Sequence, residues 1–232
     1  MPVKRWIISA NHAIEGILHA AATQRHLRYH FYAAVLTLLV STLLGVSRNE
    51  FIAISIVVMI VLAAELLNTA LEAAIDLFSL DFHPKAKAAK DVAAGAVLVT
   101  ALGALVVAYI ILYPPIKRVF TYGLHVSRHS APDVAVIALV IVLILVVLIK
   151  ALTGKGQPLQ GGMPSGHAAV SFSVWASVCY LFNQPAVSAM VGMLALAVAS
   201  SRVASKIHTI AEVVVGGVLG AGVTFLLFLI FA

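Results

Sequence analysis

Residues 132–151 read PDVAVIALVIVLILVVLIKA, and this run decides the fold class. From Val134 to Ile149 no charged or polar side chain interrupts it, and Asp133 and Lys150 bound it at either end. A helix needs ~20 such residues to cross the hydrocarbon core of a bilayer. Similar runs recur to either side. They predict spans at about 31–47, 51–77, 92–113, 132–151, 167–182, 186–200 and 213–231, with edges good to roughly 2–4 residues. No stretch alternates apolar and polar residues over the length of a barrel strand. The expectation is an all-α polytopic membrane protein of about seven transmembrane helices. The composition agrees, with 62% hydrophobic residues, only 10% charged residues and a mean hydropathy of +1.07.

The formal net charge of +6 is concentrated at helix ends. That pattern fits the positive-inside rule and anionic lipid, and excludes nucleic acid as the expected partner. In residues 1–30 the apolar side chains Trp6, Ala10, Ile14, Ile17, Leu18 and Ala21 recur at helical spacing, with Lys4, Arg5, Arg25 and Arg28 flanking them. This predicts an N-terminal amphipathic helix on the membrane surface. Pro114-Pro115 through Pro132 predicts a joint, dividing the chain into a unit at 1–115, a linker at 116–131 and a unit at 132–232. With the N-terminus cytoplasmic, basic residues facing inward (Lys85, Lys87, Lys90 and Lys206 among them) outnumber those facing outward (Arg48, Lys117, Arg118 and Arg128).

Two polar constellations interrupt the apolar pattern. In the first, Glu65, Asn68, Glu72 and Asp76 are spaced three, four and four apart, within a stripe roughly 80° wide on one helix face. A carboxylate at bilayer depth costs on the order of 3 kcal/mol, so a row of them asks for a purpose. Hard oxygen ligands suit Mg²⁺ carrying ATP phosphates. A neighbouring carboxylate can take the proton of an attacking hydroxyl. Lys90 and Asp91 follow at the next helix start. A polar seam between helices, paired with neighbouring cations, is the structural alternative.

The second constellation is Lys150 and Gln157, then Pro164-Ser165-Gly166-His167, then Ser201-Arg202 with His208 and Glu212. Lys150 and Arg202 can hold phosphate oxygens. Ser165 and the helix start after it add donors and a favourable dipole. Glu212, four residues after His208, is placed to orient that imidazole as a nucleophile. His167 is then placed to protonate the leaving oxygen. This chemistry calls for no metal or cofactor. Gly216, Gly217, Gly220 and Gly222 on the last span are expected at close helix contacts.

Both sets resemble known families. Residues 11–113 resemble the prokaryotic diacylglycerol kinase/undecaprenol kinase family, most clearly at Glu65-Leu-Leu-Asn68-Thr69-Ala70-Leu-Glu72-Ala-Ala-Ile-Asp76 and Ala86-Lys87-Ala-Ala-Lys90-Asp91. The resemblance implies a homotrimer with shared active sites that uses Mg²⁺ and ATP on a lipid alcohol. It makes Glu65 the catalytic base, Glu72 a metal ligand, and Asn68, Asp76, Lys90 and Asp91 nucleotide- or substrate-binding groups. Gln24 stands where the family usually has a metal-binding Glu. The second half resembles the type-2 phosphatidate phosphatase superfamily, whose motifs read KxxxxxxRP, PSGH and SRxxxxxHxxxD. That implies a phosphohistidine at His208, oriented by Glu212, with His167 as acid then base. The phosphate ligands would be Lys150, Gln157, Ser165, Gly166 and Arg202. Gln157 replaces the first motif's Arg, and Glu212 replaces its Asp. The expected protein is a bifunctional lipid kinase and lipid phosphate or diphosphate phosphatase of the bacterial inner membrane, with both sites cytoplasmic. The alternative is a phosphatase on an inactive, trimerising kinase-like scaffold.

Overall fold

The computed structural model describes residues 2–79, 81, 83–153 and 161–232, with side chains from Ile8 onward in that range. The described residues form eight α-helices and no strand. They are α1 (Pro2–Thr23), α2 (Arg25–Leu44), α3 (Arg48–Phe78), α4 (Pro84–Tyr122), α5 (Ala131–Thr153), α6 (Gly166–Phe182), α7 (Pro185–Ala204) and α8 (Ile210–Phe231). Six of these (α2, α3, α4, α5, α7 and α8) are long and apolar enough to cross a membrane, and α6 is a shorter apolar helix. The chain is an all-α polytopic membrane protein, with the helices falling on the seven segments expected from the sequence.

The helices sort into two compact units, Gln24–Ser127 and Met1–Thr23 with Arg128–Ala232. In the first, α2, α3 and α4 are joined by tight, chemically specified turns. Gly45 ends α2 in the left-handed region at φ 66°, and its N–H bonds back to Ser41 and Thr42. A Cβ on Gly45 would lie 2.0 Å from the Ser127 hydroxyl, so both the conformation and the space demand glycine. Ser47 and Glu50 then form a capping box that starts α3. The buried residues of this unit include Leu27, Phe31, Ala34, Leu38, Ser41 and Thr42 on α2, Val46 in the turn, Ile54, Val61 and Glu65 on α3, and Ala93 and Pro115 on α4.

Two features differ from the sequence reading. Pro114 and Pro115 lie inside α4, which runs on to a C-cap at Gly123. Each proline removes one i→i−4 bond, but near the end of a long span water can satisfy the freed carbonyls, so the helix persists. The irregular segment is therefore 123–130. The helix at the N-terminus, α1, buries Leu18, Ala20 and Ala21 and groups with α5 and its followers, whereas the sequence division placed it in the first unit. At 31 and 39 residues, α3 and α4 exceed the ~20 needed to span.

In the second unit α6 packs between α5, α7 and α8. Glycines on α8 let α6 approach to backbone contact. A Cβ on Gly216 would stand 2.3 Å from the Ser165 carbonyl oxygen, and one on Gly220 would stand 1.9 Å from that of Ala169. A Cβ on Gly217 would stand 3.2 Å from the Phe172 ring, whereas one on Gly222 would meet nothing within 4 Å. A buried Ser173–Thr224 hydroxyl pair at 2.8 Å ties the same helices, and Trp175 Nε1 donates to Ser188 O on α7 at 3.0 Å. We expect Gly220→Ala to lower stability by about 1–3 kcal/mol through forced separation of α6 and α8, read as a fall in melting temperature in detergent. Gly222→Ala should melt as wild type; equal melting of both variants would contradict this packing.

Candidate active sites

The second unit brings its sequence-predicted residues together at the ends of four helices. Lys150 ends α5, Ser165 precedes α6, Arg202 ends α7, and His208 and Glu212 flank the start of α8. Beneath them Ala168, Ala199 and Val213 form a small apolar cluster with Phe172 and Val203, which locks α6, α7 and α8 immediately below the polar groups.

Glu212 is the centre of this arrangement. Its Oε2 accepts from His208 Nδ1 at 2.8 Å and from the Thr209 N–H at 3.1 Å, while Oε1 accepts from the Gly162 N–H at 3.1 Å. Its own N–H donates to Thr209 Oγ1, which completes a capping box, and its carbonyl accepts from the Ser165 N–H at 2.9 Å. A carboxylate only accepts, so Nδ1 carries the proton and Nε2 of His208 presents its lone pair. The His208 side chain is only 2% exposed. Its main chain is fixed as well, because the Arg202 carbonyl accepts from both the Ile207 and His208 N–H groups. Lys206 in the left-handed region at φ 54° makes this tight turn possible.

Ser165 supplies the clearest sign of a ligand. It is fully buried, caps α6 without a side-chain bond, and its Oγ has no partner among the described residues. A buried hydroxyl left so is costly unless a ligand oxygen satisfies it. Lys150 reaches Gly161 O at 3.4 Å and lies within electrostatic reach of Glu212; Arg202, His208 and Lys150 all lie within electrostatic reach of His167. His167 itself is exposed and His208 is buried. Gly166 N begins α6 beside Ser165. Gln157 falls outside the described residues. Sequence reasoning missed Gly162 and Thr209. Thr209 was visible as the first residue of a Thr-x-x-Glu capping box, whereas nothing in the sequence marks the Gly162 N–H.

In the first unit, α3 carries Glu65, Asn68, Glu72 and Asp76 on one face. Glu65 is 5% exposed. Asn68 Nδ2 donates to Glu72 Oε1 at 3.3 Å, and Asn68 Oδ1 is buried without a partner among the described residues. Asp76 pairs with Lys90 of α4, which fixes the register of these antiparallel helices. Lys87 pairs with Asp91 at 2.6 Å on the exposed face. Gln24 is the N-cap of α2 and makes no side-chain cap bond. Among the described residues no three His, Cys, Asp or Glu side chains converge as a metal cage. An orphaned amide oxygen beside a carboxylate fits a Mg²⁺ ion that takes one or two protein oxygens and completes its shell with phosphates and water.

Comparison with known proteins matches the two halves of the chain to two families. The sequence model of prokaryotic diacylglycerol kinase matches residues 11–112, and that of the PAP2 superfamily matches residues 136–232. The chain is 38% identical over 111 residues to a diacylglycerol kinase of Synechocystis sp., covering 47% of this chain and 63% of that protein. It is 38% identical over 112 residues to the undecaprenol kinase of Bacillus subtilis, covering 48% of this chain and 91% of that protein. A diacylglycerol kinase of Pseudomonas aeruginosa is 35% identical over 94 residues, covering 40% of this chain and 76% of that protein. No solved structure gives a match. Catalytic-looking residues and family boundaries thus coincide in both halves, and the chain belongs to the prokaryotic diacylglycerol kinase family, fused to a PAP2 superfamily domain.

Proposed function

We propose that the protein is a bifunctional membrane lipid-phosphate enzyme, a lipid kinase joined to a lipid phosphate or diphosphate phosphatase. The observation that carries the second activity is the His208–Glu212 pair beside the unpartnered, buried Ser165 hydroxyl. With Nδ1 held by Glu212, Nε2 of His208 attacks phosphorus. The bond from phosphorus to the leaving oxygen breaks, and His167 gives that oxygen its proton. Water then attacks the phosphohistidine, His167 takes the water proton, and the P–N bond breaks to release phosphate and restore His208. Lys150, Arg202, Ser165 and the Gly166 N–H hold the non-bridging oxygens, with Gln157 as a further donor where the family usually has Arg.

In the first half, Glu65 takes the proton of the lipid hydroxyl as its oxygen bonds to the γ-phosphorus and the bond to the ADP oxygen breaks. Glu72 and Asn68 Oδ1 would hold Mg²⁺, which when bound neutralises phosphate charge. Lys90, Asp76 and Asp91 order the nucleotide end of the site. Undecaprenol and diacylglycerol are the candidate alcohols, since the relatives carry those names. Running both activities on one lipid would only hydrolyse ATP, so the halves act on distinct lipids. A homotrimer built through the kinase half, placed in a bacterial inner membrane with the N-terminus and both sites cytoplasmic, completes the reading. The excess of basic residues on one set of helix ends supports that orientation.

The test uses purified His208→Ala protein with γ-labelled ATP, Mg²⁺ and undecaprenol or diacylglycerol. It should release no phosphate from lipid phosphates yet transfer label to the alcohol, and Glu65→Gln should abolish that transfer. Phosphate release near the wild-type rate in His208→Ala would overturn the phosphatase mechanism.

One observation favours a second reading, in which the phosphatase works on an inactive kinase-like scaffold. Gln24 offers a neutral carbonyl where a charged ligand is usual in the family, which weakens the hold on a hard cation. Gln24→Glu is expected to lower the Mg²⁺ concentration for half-maximal lipid phosphorylation. A Mg²⁺ titration identical to wild type would show that Gln24 does not limit the site.

A further inference from the structure

The short segment from Gly161 to Ser165 carries the buried Ser165 hydroxyl, and it is held from two sides. On one side α8 takes its N–H groups. Glu212 Oε1 accepts from the Gly162 N–H at 3.1 Å, and the Glu212 carbonyl accepts from the Ser165 N–H at 2.9 Å. On the other side α5 takes its carbonyls. Lys150 Nζ donates to Gly161 O at 3.4 Å, and the Thr153 hydroxyl donates to Met163 O at 3.1 Å. The bonds alternate along the segment, carbonyl to α5 and N–H to α8. A strap tied in this way resists both sliding and rotation about its own axis.

Thr153 is the member of this set that stands at an unspecified position of the KxxxxxxRP pattern. It follows Lys150 by three residues and is its neighbour on the same helix face. Its one hydroxyl proton has two acceptors within reach, Lys150 O at 3.3 Å and Met163 O at 3.1 Å. The first is the ordinary back-bond of a threonine to its own helix. The second reaches across ten positions of sequence and serves only the segment. Thr153 is exposed, so water can satisfy the Lys150 carbonyl when the hydroxyl is removed.

The Met163 carbonyl matters because of the residue after it. Pro164 is fully buried and has no N–H to give, so the hold on the chain just before Ser165 falls to Met163 O. On the far side of Pro164 the Ser165 backbone is pressed against α8, where a Cβ on Gly216 would stand 2.3 Å from the Ser165 carbonyl oxygen. At its other end the segment passes the turn that carries His208, since a Cβ on Gly161 would lie 3.5 Å from Ile207 O. Thr153 and Glu212 therefore bracket Pro164 and Ser165, one from each neighbouring helix, while the Ser165 hydroxyl is left without a partner among the described residues.

We propose that Thr153 is a positioning residue for the phosphate site: it touches no substrate, and by holding the Met163 carbonyl it keeps the Ser165 hydroxyl aimed at a phosphate oxygen. The assignment rests on the phosphatase reading above and deepens it, since it adds a contact from α5 that the three motifs do not specify.

The test measures equilibrium binding of radiolabelled inorganic phosphate to the full-length protein, beside KM and kcat for a lipid phosphate. Thr153→Val and Thr153→Ala should weaken phosphate binding by roughly three- to tenfold, the scale of one lost hydrogen bond. KM should rise by the same factor with kcat and melting temperature near wild type. Thr153→Ser, which keeps the hydroxyl, should restore both constants. In a Ser165→Ala background Thr153→Val should add almost nothing, because it acts through that hydroxyl. Wild-type phosphate binding in both Thr153→Val and Thr153→Ala would overturn the proposal. A fall in kcat or melting temperature with binding unchanged would do so too, and would leave Thr153 a structural prop. Thr153→Ser as weak as Thr153→Val, or full additivity with Ser165→Ala, would likewise contradict it. Phosphate binding that depends on Thr153 in a protein that hydrolyses no lipid phosphate would refute the phosphatase reading and leave the positioning role standing. Hydrolysis lost in His208→Ala, with phosphate binding indifferent to Thr153, would do the reverse.

Discussion

The second half of this protein depends on one carboxylate. Glu212 accepts from His208 Nδ1, the Thr209 N–H and the Gly162 N–H, and its carbonyl takes the Ser165 N–H. These bonds join the start of α8, the proposed nucleophile and the loop that precedes α6. Each partner comes from a different part of the local chain, so the site assembles only when all three are in place. The charge also has a stabilising position, because it sits in the first turn of α8 where the helix dipole favours an anion. Below it, Gly216 and Gly220 bring α8 close enough to α6 for the Ser165 N–H to reach the Glu212 carbonyl.

The first half is organised differently. Its polar groups lie along the C-terminal half of α3 and the start of α4, and the Asp76–Lys90 pair ties the two helices there. Among the described carboxylates of this unit, only Glu65 is buried. Asn68, Glu72 and Lys90 are half-buried, while Asp76 and Asp91 are exposed. In one half the polar chemistry is closed around a hydrogen-bond network; in the other it is open and awaits its phosphates.

The sequence showed the elements whose cause is local. Apolar runs marked every spanning helix, and the four-residue spacing of His208 and Glu212 became a 2.8 Å hydrogen bond. Gly216 and Gly220 stood out as small residues on an apolar helix, but spacing alone did not separate them from Gly222, where a side chain would have open space. Contacts set by tertiary structure were not legible. The Gly162 N–H gains its role only because the loop folds onto Glu212, and the Ser165 hydroxyl stands out only once its burial is known. Pro114 and Pro115 read as a break because the local rule ignores the water available to freed carbonyls at a helix end.

The central claim is that Glu212 works through its full reach, holding nucleophile and loop at once. The direct test is lipid-phosphate hydrolysis by Glu212→Asp, which installs the acid usual in the superfamily. Asp is shorter by one methylene, and a displacement near 1 Å at a reacting group can cost on the order of 10²-fold. The account predicts a loss of at least about tenfold in turnover, with little change in substrate KM. Wild-type turnover in Glu212→Asp would contradict it, and would reduce the Gly162 and Thr209 bonds to incidental contacts.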